Sequence, residues 1–495
     1  MSDFPKIYKF FFLISTWLII FLPISLVTGP FLSNLFATIV SLIYLFFFAR
    51  SDYKYNFLFL IIFLIFIFYL FFISVIGESI RYSIETSISY LRYGFLILAI
   101  SFVARTDRNF FKYFFLINFI AFLFLFLDLL IQVFFKKNLL GQVNGSSDRY
   151  TSFFGKEQIL GSFVSRVLPI LFFLINFLFK KKNSFLIVVI YFLSLIMILL
   201  SGERTSLALF IIFSLIVLTV KKDVMLLFKF LLIIILTTTF VFTVFDSQKR
   251  RFLTSTFNQI YNSKELNSNS SNLSFFSERH EYHFITALNI FKKNILFGSG
   301  PNSFRFVCDK PEYSVRNEIL EKNTFRSKFH GYIKINNSSE ITNDGIVNND
   351  IKIYIVSNER IVDEVEIKKF SKILIKNNQI VHNGDAIFIK NIEHVNGCNT
   401  HPHNILIQLL SETGLIGTAF YIFFFFKILT HMFKYLYFLY YKKKRIFTDN
   451  YIYLLGGVLI NFFPFITTGG FFNSWLCILF SIPIGFLFYI KNKNK

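Results

Sequence analysis

Residues 56–77 read NFLFLIIFLIFIFYLFFISVIG, a run without a single charged side chain. It exceeds the roughly 18 apolar residues that mark a helix able to cross a bilayer. Comparable runs recur along the 495-residue chain, of which 54% is hydrophobic and only 16% is charged. A soluble domain of this size needs far more polar surface. We therefore predict an all-α polytopic membrane protein.

About twelve membrane spans are predicted. Their approximate bounds are 8–28, 31–49, 56–77, 86–104, 111–134, 159–179, 184–201, 204–220, 226–245, 405–427, 451–467 and 470–490. Basic residues concentrate in alternate connections, such as 180–182 and 442–445, which the positive-inside rule places in the cytoplasm. Both termini are then expected on the cytoplasmic side of the membrane. One outer connection, 136–158, departs from the rule because it carries several basic residues.

The chain divides by this pattern into three parts. They are an N-terminal bundle of about nine helices at 1–245, a large periplasmic loop at 246–404 and C-terminal helices at 405–495. Within the loop, 309–397 is predicted to be an inserted β-rich module, because short segments alternate apolar and polar residues between Asn- and Gly-bearing turns. The predicted strands lie near 332–335, 351–355, 372–376 and 386–389.

The formal charge of +22 would suit nucleic-acid binding. The basic residues, however, lie at the ends of apolar runs, where they orient a membrane protein, so nucleic acid is not expected as a partner. The 74 Phe residues are interpreted as lipid-facing surface. Cys308 and Cys398 bracket the inserted module, and a periplasmic location favours a disulfide between them. Two unpaired loop thiols are the alternative, while Cys477 lies in an apolar run and is expected to be inert.

The strongest chemical signal is the segment His401-Pro402-His403-Asn404, where the loop re-enters the membrane. An unperturbed imidazole titrates near neutral pH, so either histidine suits a general base. The alternative is that both histidines cap the next helix and bond loop carbonyls.

A second segment begins at Arg279 and reaches the turn Gly298-Ser299-Gly300-Pro301, with Arg305 just beyond it. The glycines allow a tight turn and a close backbone approach. No Gly-Lys-Ser/Thr follows, so the turn is not a nucleotide-binding P-loop. A helix, a turn and a solvated arginine are the plainer interpretation.

Two further segments carry an arginine at the outer face. Arg204 lies in the turn 201–206 between two spans, and Arg149 lies in the connection that departs from the charge rule. Guanidinium groups bind phosphate oxygens in a bidentate way and remain charged. Both therefore suit a lipid-linked phosphate, although an interfacial anchor is the alternative for Arg204.

Taken together, these four segments resemble the O-antigen ligase and O-antigen polymerase superfamily of bacterial envelope transferases. The resemblance covers nearly the whole chain in order and topology. It is carried by His403, Asn404, Gln408, Glu412, Gly414, Gly417, Arg279, Gly298, Gly300 and Arg204. Two features depart from the family: His283 stands where an aromatic residue is common, and the insertion 309–397 is longer than the usual loop.

The resemblance implies a glycosyltransferase that moves a glycan from undecaprenyl pyrophosphate to a hydroxyl acceptor. The acceptor is lipid A core in a ligase and a growing glycan in a polymerase. Arg204 and Arg279 would neutralise the developing charge, and His403 would be the general base of an inverting displacement. The expected substrate-binding residues are Arg149, Arg305, His401 and Glu412. No metal or other cofactor is expected, because no ligand set is complete.

Three other interpretations stay open. A transporter of the lipid-linked glycan needs no chemistry, but it would be expected to show paired repeats around a midplane site. A polysaccharide-binding or structural envelope protein would use the inserted module. A protein-directed oligosaccharyltransferase is the third. Convergence of the four segments on one outer pocket would favour an enzyme over a transporter.

Overall fold

The computed structural model describes most of the chain. The described residues are 5–143, 149–179, 184–257, 276, 278–313, 315–317, 324–327, 332–335, 351–357, 360–367, 374–376, 379–382, 385–388, 394–395 and 397–493. They divide into two units, one formed by Met1–Val307 with Cys398–Lys495 and the other by Cys308–Gly397. Residues 246–307 and 398–404, which the sequence assigned to one loop with the insertion, thus belong to the first unit.

The first unit is helical. Its helices are α1 (Lys6–Thr28), α2 (Pro30–Ile43), α3 (Ala49–Asp52), α4 (Phe57–Ile76), α5 (Ile80–Thr106), α6 (Phe110–Phe135), α7 (Leu160–Phe179), α8 (Ser184–Ser201), α9 (Arg204–Lys221), α10 (Val224–Val244), α11 (Asp246–Lys249), α12 (Glu278–Lys293), α13 (Phe304–Val307), α14 (Ile405–Tyr440), α15 (Asp449–Asn461) and α16 (Ser474–Lys493). Among the described residues, 11 helical stretches are long and apolar enough to cross a membrane. The protein is a multi-pass membrane protein.

The prediction of about twelve spans is wrong by one, at 451–467. The helix there, α15, has only 13 residues and ends at Asn461. Pro464 follows three residues later and cannot donate the next helical hydrogen bond, because it has no backbone N–H. The carbonyl groups of Pro464 and Ile466 instead accept hydrogen bonds from the Asn404 side chain, at 2.7 and 3.3 Å. The chain therefore turns between 462 and 473, and the last span starts at Ser474 rather than near 470.

Helix α14 is longer than predicted and contains a kink. It runs for 36 residues, and Gly414 interrupts it with φ 61° and ψ −166°. The N–H groups of Leu415 and Ile416 donate to the carbonyls of Ile295 and Leu296, at 2.8 and 3.4 Å. A Cβ atom at Gly414 would collide with the Leu296 backbone. The kink thus receives the chain segment that leads into the Gly298 turn.

Helices α7 and α9 carry polar networks at both ends, and α15 joins one of them. At one end Lys221 lies 3.3 Å from the Asp449 carboxylate and donates to the Asn176 side chain at 3.1 Å. We call this the basic end. At the other end the Glu203 carboxylate accepts a backbone hydrogen bond from Ser162 at 3.0 Å. We call this the site end, and the packed apolar stretches of the helices separate the two.

The second unit contains short strands. They are β1 (Arg316–Asn317), β2 (Thr324–Ser327), β3 (Tyr332–Ile335), β4 (Ile351–Ser357), β5 (Arg360–Ile367), β6 (Leu374–Lys376), β7 (Gln379–His382), β8 (Asp385–Phe388) and β9 (His394–Val395). Seven of them form one antiparallel sheet in the order β5-β4-β3-β2-β8-β7-β6, and β1 pairs with β9. The segments expected near 332–335 and 351–355 fall in β3 and β4, and those near 372–376 and 386–389 overlap β6 and β8.

The three cysteines are in two different states. Cys308 and Cys398, which the sequence suggested as partners, are both disulfide-bonded. Cys477 is buried and has a free thiol.

Substitution of Gly414 tests the kink in α14. We expect Gly414→Ala to destabilise the protein, because alanine would combine a left-handed backbone with a collision against Leu296. The backbone strain alone is worth ~1–3 kcal/mol. Gly141→Ala is the matched control, since Gly141 has φ +76° but open space around it. The midpoint of thermal unfolding in detergent should fall clearly further for Gly414→Ala, and equal losses would contradict the proposed close approach.

Candidate active site

Four imidazole rings meet at the site end. Two come from α12, His280 and His283, and two from the segment before α14, His401 and His403. The centroid of the His403 ring lies 5.4, 5.5 and 4.2 Å from those of His280, His283 and His401. We call this group the histidine cluster. Within the described part of the chain, no three His, Cys, Asp or Glu side chains are placed to hold a metal ion.

The backbone holds His403 in an uncommon conformation. Its φ is 59°, in the left-handed region, and its carbonyl accepts a hydrogen bond from the Thr468 N–H at 2.8 Å. The next residue, Asn404, caps α14, because its side-chain oxygen accepts from the Ile407 N–H at 3.0 Å. The capping role that the sequence left open for the histidines is thus filled by Asn404.

Asn399 connects two rings of the histidine cluster. Its amide nitrogen lies 2.9 Å from Nε2 of His403 and 3.3 Å from Nε2 of His283. Its amide oxygen accepts from the Thr400 N–H at 2.7 Å, which fixes the orientation of the amide. An amide nitrogen can only donate, so both Nε2 atoms accept and carry no proton. Asn399 could not be singled out from the sequence, because it belongs to none of the recognised patterns.

His401 is held at the edge of the cluster. Its Nδ1 lies 2.9 Å from the Thr400 hydroxyl. Burial lowers the pKa of His401 from its usual value of 6.5 to about 4; the charges of Arg305 and His280 act in the same direction, and the Thr468 backbone opposes them. His401 is therefore neutral at physiological pH.

Glu412 organises the turn that follows α12. Its carboxylate is fully buried and accepts hydrogen bonds from the N–H groups of Asn302 and Phe304, at 3.0 and 3.1 Å. Gln408 donates to the same carboxylate at 2.9 Å and accepts from the Phe471 N–H at 2.6 Å. The substrate contact predicted for Glu412 does not fit this burial. The residue instead holds together the three chain segments around the histidine cluster.

Arg305 lies on the turn that Glu412 holds. Its Nη2 donates to the Asn302 side chain at 3.0 Å, and its side chain is exposed. Its charge is near enough to lower the pKa of His401. Arg305 thus lies beside the histidine cluster, where a substrate contact was predicted.

Two arginines flank the turn between α8 and α9. Arg204 begins α9 and donates to the Thr256 hydroxyl at 3.1 Å. Arg251 reaches the same turn from the opposite chain segment, and its Nε donates to the Gly202 carbonyl at 2.6 Å. Gly202 has φ 66°, and a Cβ atom there would meet the Arg251 side chain. Arg251 was not singled out from the sequence, because a basic residue after a span is ordinary.

Glu203 does not neutralise these arginines directly. Its carboxylate accepts hydrogen bonds from the N–H groups of Gly161 and Ser162, at 2.7 and 3.0 Å, and from the Ser206 hydroxyl at 2.9 Å. Burial raises the pKa of Glu203, although these hydrogen bonds oppose the shift. The carboxylate caps the start of α7.

Arg166 joins the two groups of residues. Its side chain is only 3% exposed, and its two terminal nitrogens donate to the Ser162 carbonyl at 3.1 Å and to the Thr468 hydroxyl at 3.4 Å. Thr468 bonds the His403 carbonyl, and Ser162 bonds Glu203. A continuous hydrogen-bonded path therefore runs from His403 to the turn that carries Arg204.

The remaining predicted residues lie next to this path. Arg149 donates to the Gln158 side chain, and the neighbouring Tyr150 N–H bonds the Leu200 carbonyl at the end of α8, at 3.3 Å. Arg279 lies in the first turn of α12, directly before His280. The side chain of Arg279 is outside the described residues.

Comparison with known families supports two of the four segments from which the resemblance was drawn. A family described as O-Antigen ligase matches residues 187–330. The matched stretch includes Arg204, Arg279 and Arg305 and ends before His403. Among curated proteins, none matches the chain. The family match confirms the predicted resemblance to the O-antigen ligase and polymerase superfamily, a class of glycosyltransferase-like enzymes.

The low pKa of His401 predicts how stability depends on pH. The unfolded chain binds a proton at His401 near pH 6.5, whereas the folded protein does so only near pH 4. The unfolded state thus binds more protons in this window, so stability falls as the pH falls from about 6.5 to about 4. We expect His401→Gln to lose less stability than the wild type between pH 7 and 5, measured as the thermal midpoint. Equal losses in both proteins would contradict the burial of a neutral ring.

Proposed function

We propose that this chain, which resembles the O-antigen ligase and polymerase superfamily, transfers a glycan from undecaprenyl pyrophosphate to a hydroxyl group of lipid A core. The reaction would take place at the periplasmic face of the bacterial inner membrane. The observation that supports the proposal most is the path from His403 through Thr468 and Arg166 to the Arg204 turn. This path connects imidazole rings and guanidinium groups at one end of the bundle. Glycosyl transfer from a pyrophosphate needs a base for the acceptor proton and cations for the leaving group.

The proposed step exchanges one bond for another at the anomeric carbon. The acceptor oxygen forms its bond to that carbon while the bond from the carbon to the pyrophosphate oxygen breaks. The hydroxyl proton passes to His403, and undecaprenyl pyrophosphate leaves with the electron pair. Attack from the face opposite the leaving group inverts the configuration of the sugar.

The contacts of His403 suit a general base. Because Nε2 accepts from Asn399, this nitrogen already carries a lone pair rather than a proton. In the proposed complex the acceptor hydroxyl takes the place of the Asn399 amide at Nε2. His403 then receives the proton as the new bond forms, a contribution typically worth ~100- to 10,000-fold in rate.

The guanidinium groups suit the leaving group. In the proposal Arg204 and Arg279 bind the pyrophosphate, and Arg251, on the other side of the Gly202 turn, is a third cation for the same anion. Preorganised charges of this kind stabilise the negative charge that develops as the bond breaks. The hydrogen bonds of Glu203 to the start of α7 keep its carboxylate engaged, so it does not compete for the arginines. Arg305 and Arg149 are proposed contacts for the sugar or phosphate groups.

Transfer activity of purified protein tests these roles. In liposomes with lipid-linked glycan and lipid A core, we expect His403→Ala and Arg279→Ala each to slow transfer by at least ~100-fold. Arg81→Ala is the matched control, because Arg81 lies at the start of α5 with a side chain that is 85% exposed and pairs only with Glu85 in the described structure. Full activity of both variants would overturn the assignment.

The acceptor separates a ligase from a polymerase of the same superfamily. The same liposomes are given either lipid A core or a second lipid-linked glycan as the acceptor. Transfer to lipid A core supports the proposal, whereas elongation of the lipid-linked glycan alone would make the protein a polymerase. Movement of glycan across the bilayer without any new glycosidic bond would favour the transporter.

Substitution of Asn399 tests its role as a positioning residue. Asn399→Asp places a carboxylate beside Nε2 of His403, and this carboxylate favours a protonated ring. Transfer at pH 7 should slow by ~10-fold or more, and the optimum should move to higher pH. The isosteric change leaves the size of the side chain unaltered, so an unchanged pH profile would show that Asn399 is structural only.

A further inference from the structure

A cavity of about 620 Å³ opens at the basic end of the bundle. Its lining includes Asn176 from α7, His431 from α14, Asp449 at the start of α15 and Lys491 from α16. Asn176 and Ser162 lie on the same helix, and Ser162 belongs to the site end. The cavity is therefore separated from the histidine cluster by most of the length of α7.

The charges around this cavity are mainly positive. The Asp449 carboxylate already pairs with Arg445 at 2.9 Å and with Lys221 at 3.3 Å. Asp449 is the only acidic side chain among the described lining residues, and two cations balance it. Lys491 adds a further positive charge. The lining is therefore positive overall, and its one described carboxylate, Asp449, is already paired with cations.

His431 adds a directed polar atom to the wall. Its Nδ1 lies 2.8 Å from the Lys427 carbonyl, which can only accept, so Nδ1 carries the proton. The ring packs beside Phe447 and Tyr451, with centroids 6.0 and 6.5 Å apart. This packing fixes the ring and leaves Nε2 as the nitrogen available to a ligand. With the proton on Nδ1, Nε2 carries a lone pair and accepts from a hydroxyl group of the bound molecule.

We propose that this cavity binds a phosphate group carried by a small ester. Its volume falls within the ~300–1,000 Å³ of small-molecule sites, and the aromatic wall suits the apolar part of such a molecule. Basic pockets between membrane helices bind anionic lipid head groups. The same chemistry would accept either the head group of an anionic phospholipid or a soluble phosphate ester.

Binding to the purified full-length protein tests the site without any transfer reaction. The probes are phosphatidylglycerol, phosphatidylcholine and glycerol 1-phosphate, followed by native mass spectrometry. The lining variant is His431→Phe with Lys491→Gln, which keeps an aromatic ring and leaves the Asp449 pairs in place. The control is Lys442→Gln with Lys443→Gln, which removes two charges from the same end but outside the lining.

We expect the wild type to prefer phosphatidylglycerol over phosphatidylcholine by about tenfold. The lining variant should lose this preference, and the control should keep it. Binding of glycerol 1-phosphate that disappears in the lining variant alone would also support the site and identify a soluble ligand. Two results would overturn the proposal. One is an equal loss of the phosphatidylglycerol preference in the lining variant and the control. The other is a wild type that shows no preference for phosphatidylglycerol and does not bind glycerol 1-phosphate. Neither result depends on the proposed transferase activity.

Discussion

The buried carboxylate of Glu412 holds the candidate site together. It receives two backbone N–H groups from the turn after α12 and one side-chain N–H group from Gln408. Gln408 in turn receives the Phe471 N–H from the turn before α16. Three segments that are distant in sequence thus meet at one acidic side chain. The N–H groups of Ser299 and Gly300 add backbone hydrogen bonds to the carbonyls of Ser411 and Glu412, both at 2.9 Å. Together these bonds attach the turn after α12 to α14.

The second constraint is the burial of Arg166. A guanidinium inside a membrane bundle is costly unless it is hydrogen-bonded, and here it bonds the Ser162 carbonyl and the Thr468 hydroxyl. These bonds connect the half of the site built on α7 to α9 with the half built around α14. The geometry of His403 relative to the Arg204 turn therefore depends on packing inside the bundle, and not only on the surface loops.

Much of this arrangement was predictable from local patterns. Hydropathy placed most of the spans, since an apolar run long enough to cross a bilayer has few other structures available. It failed at 451–467, because the bonds that stabilise the turn after Asn461 come from Asn404, far away in sequence. The pattern around His403 lies beyond the matched residues 187–330, and the structure gives its residues different roles. Asn404 and Gln408 hold chain segments together, and Glu412 is buried. Three other residues make contacts that form only when distant segments fold together, so no local pattern predicts them: Asn399, Thr468 and Arg251.

The kink at Gly414 has a consequence for how the protein is made. A helix interrupted within a lipid bilayer leaves amide and carbonyl groups unpaired, which hydrocarbon does not tolerate. In this chain the carbonyls of Ile295 and Leu296 fill that need, and the ribosome synthesises them long before Gly414. The final shape of α14 thus depends on an earlier segment that docks against Gly414, so the C-terminal helices reach their final structure only after that segment has packed onto them.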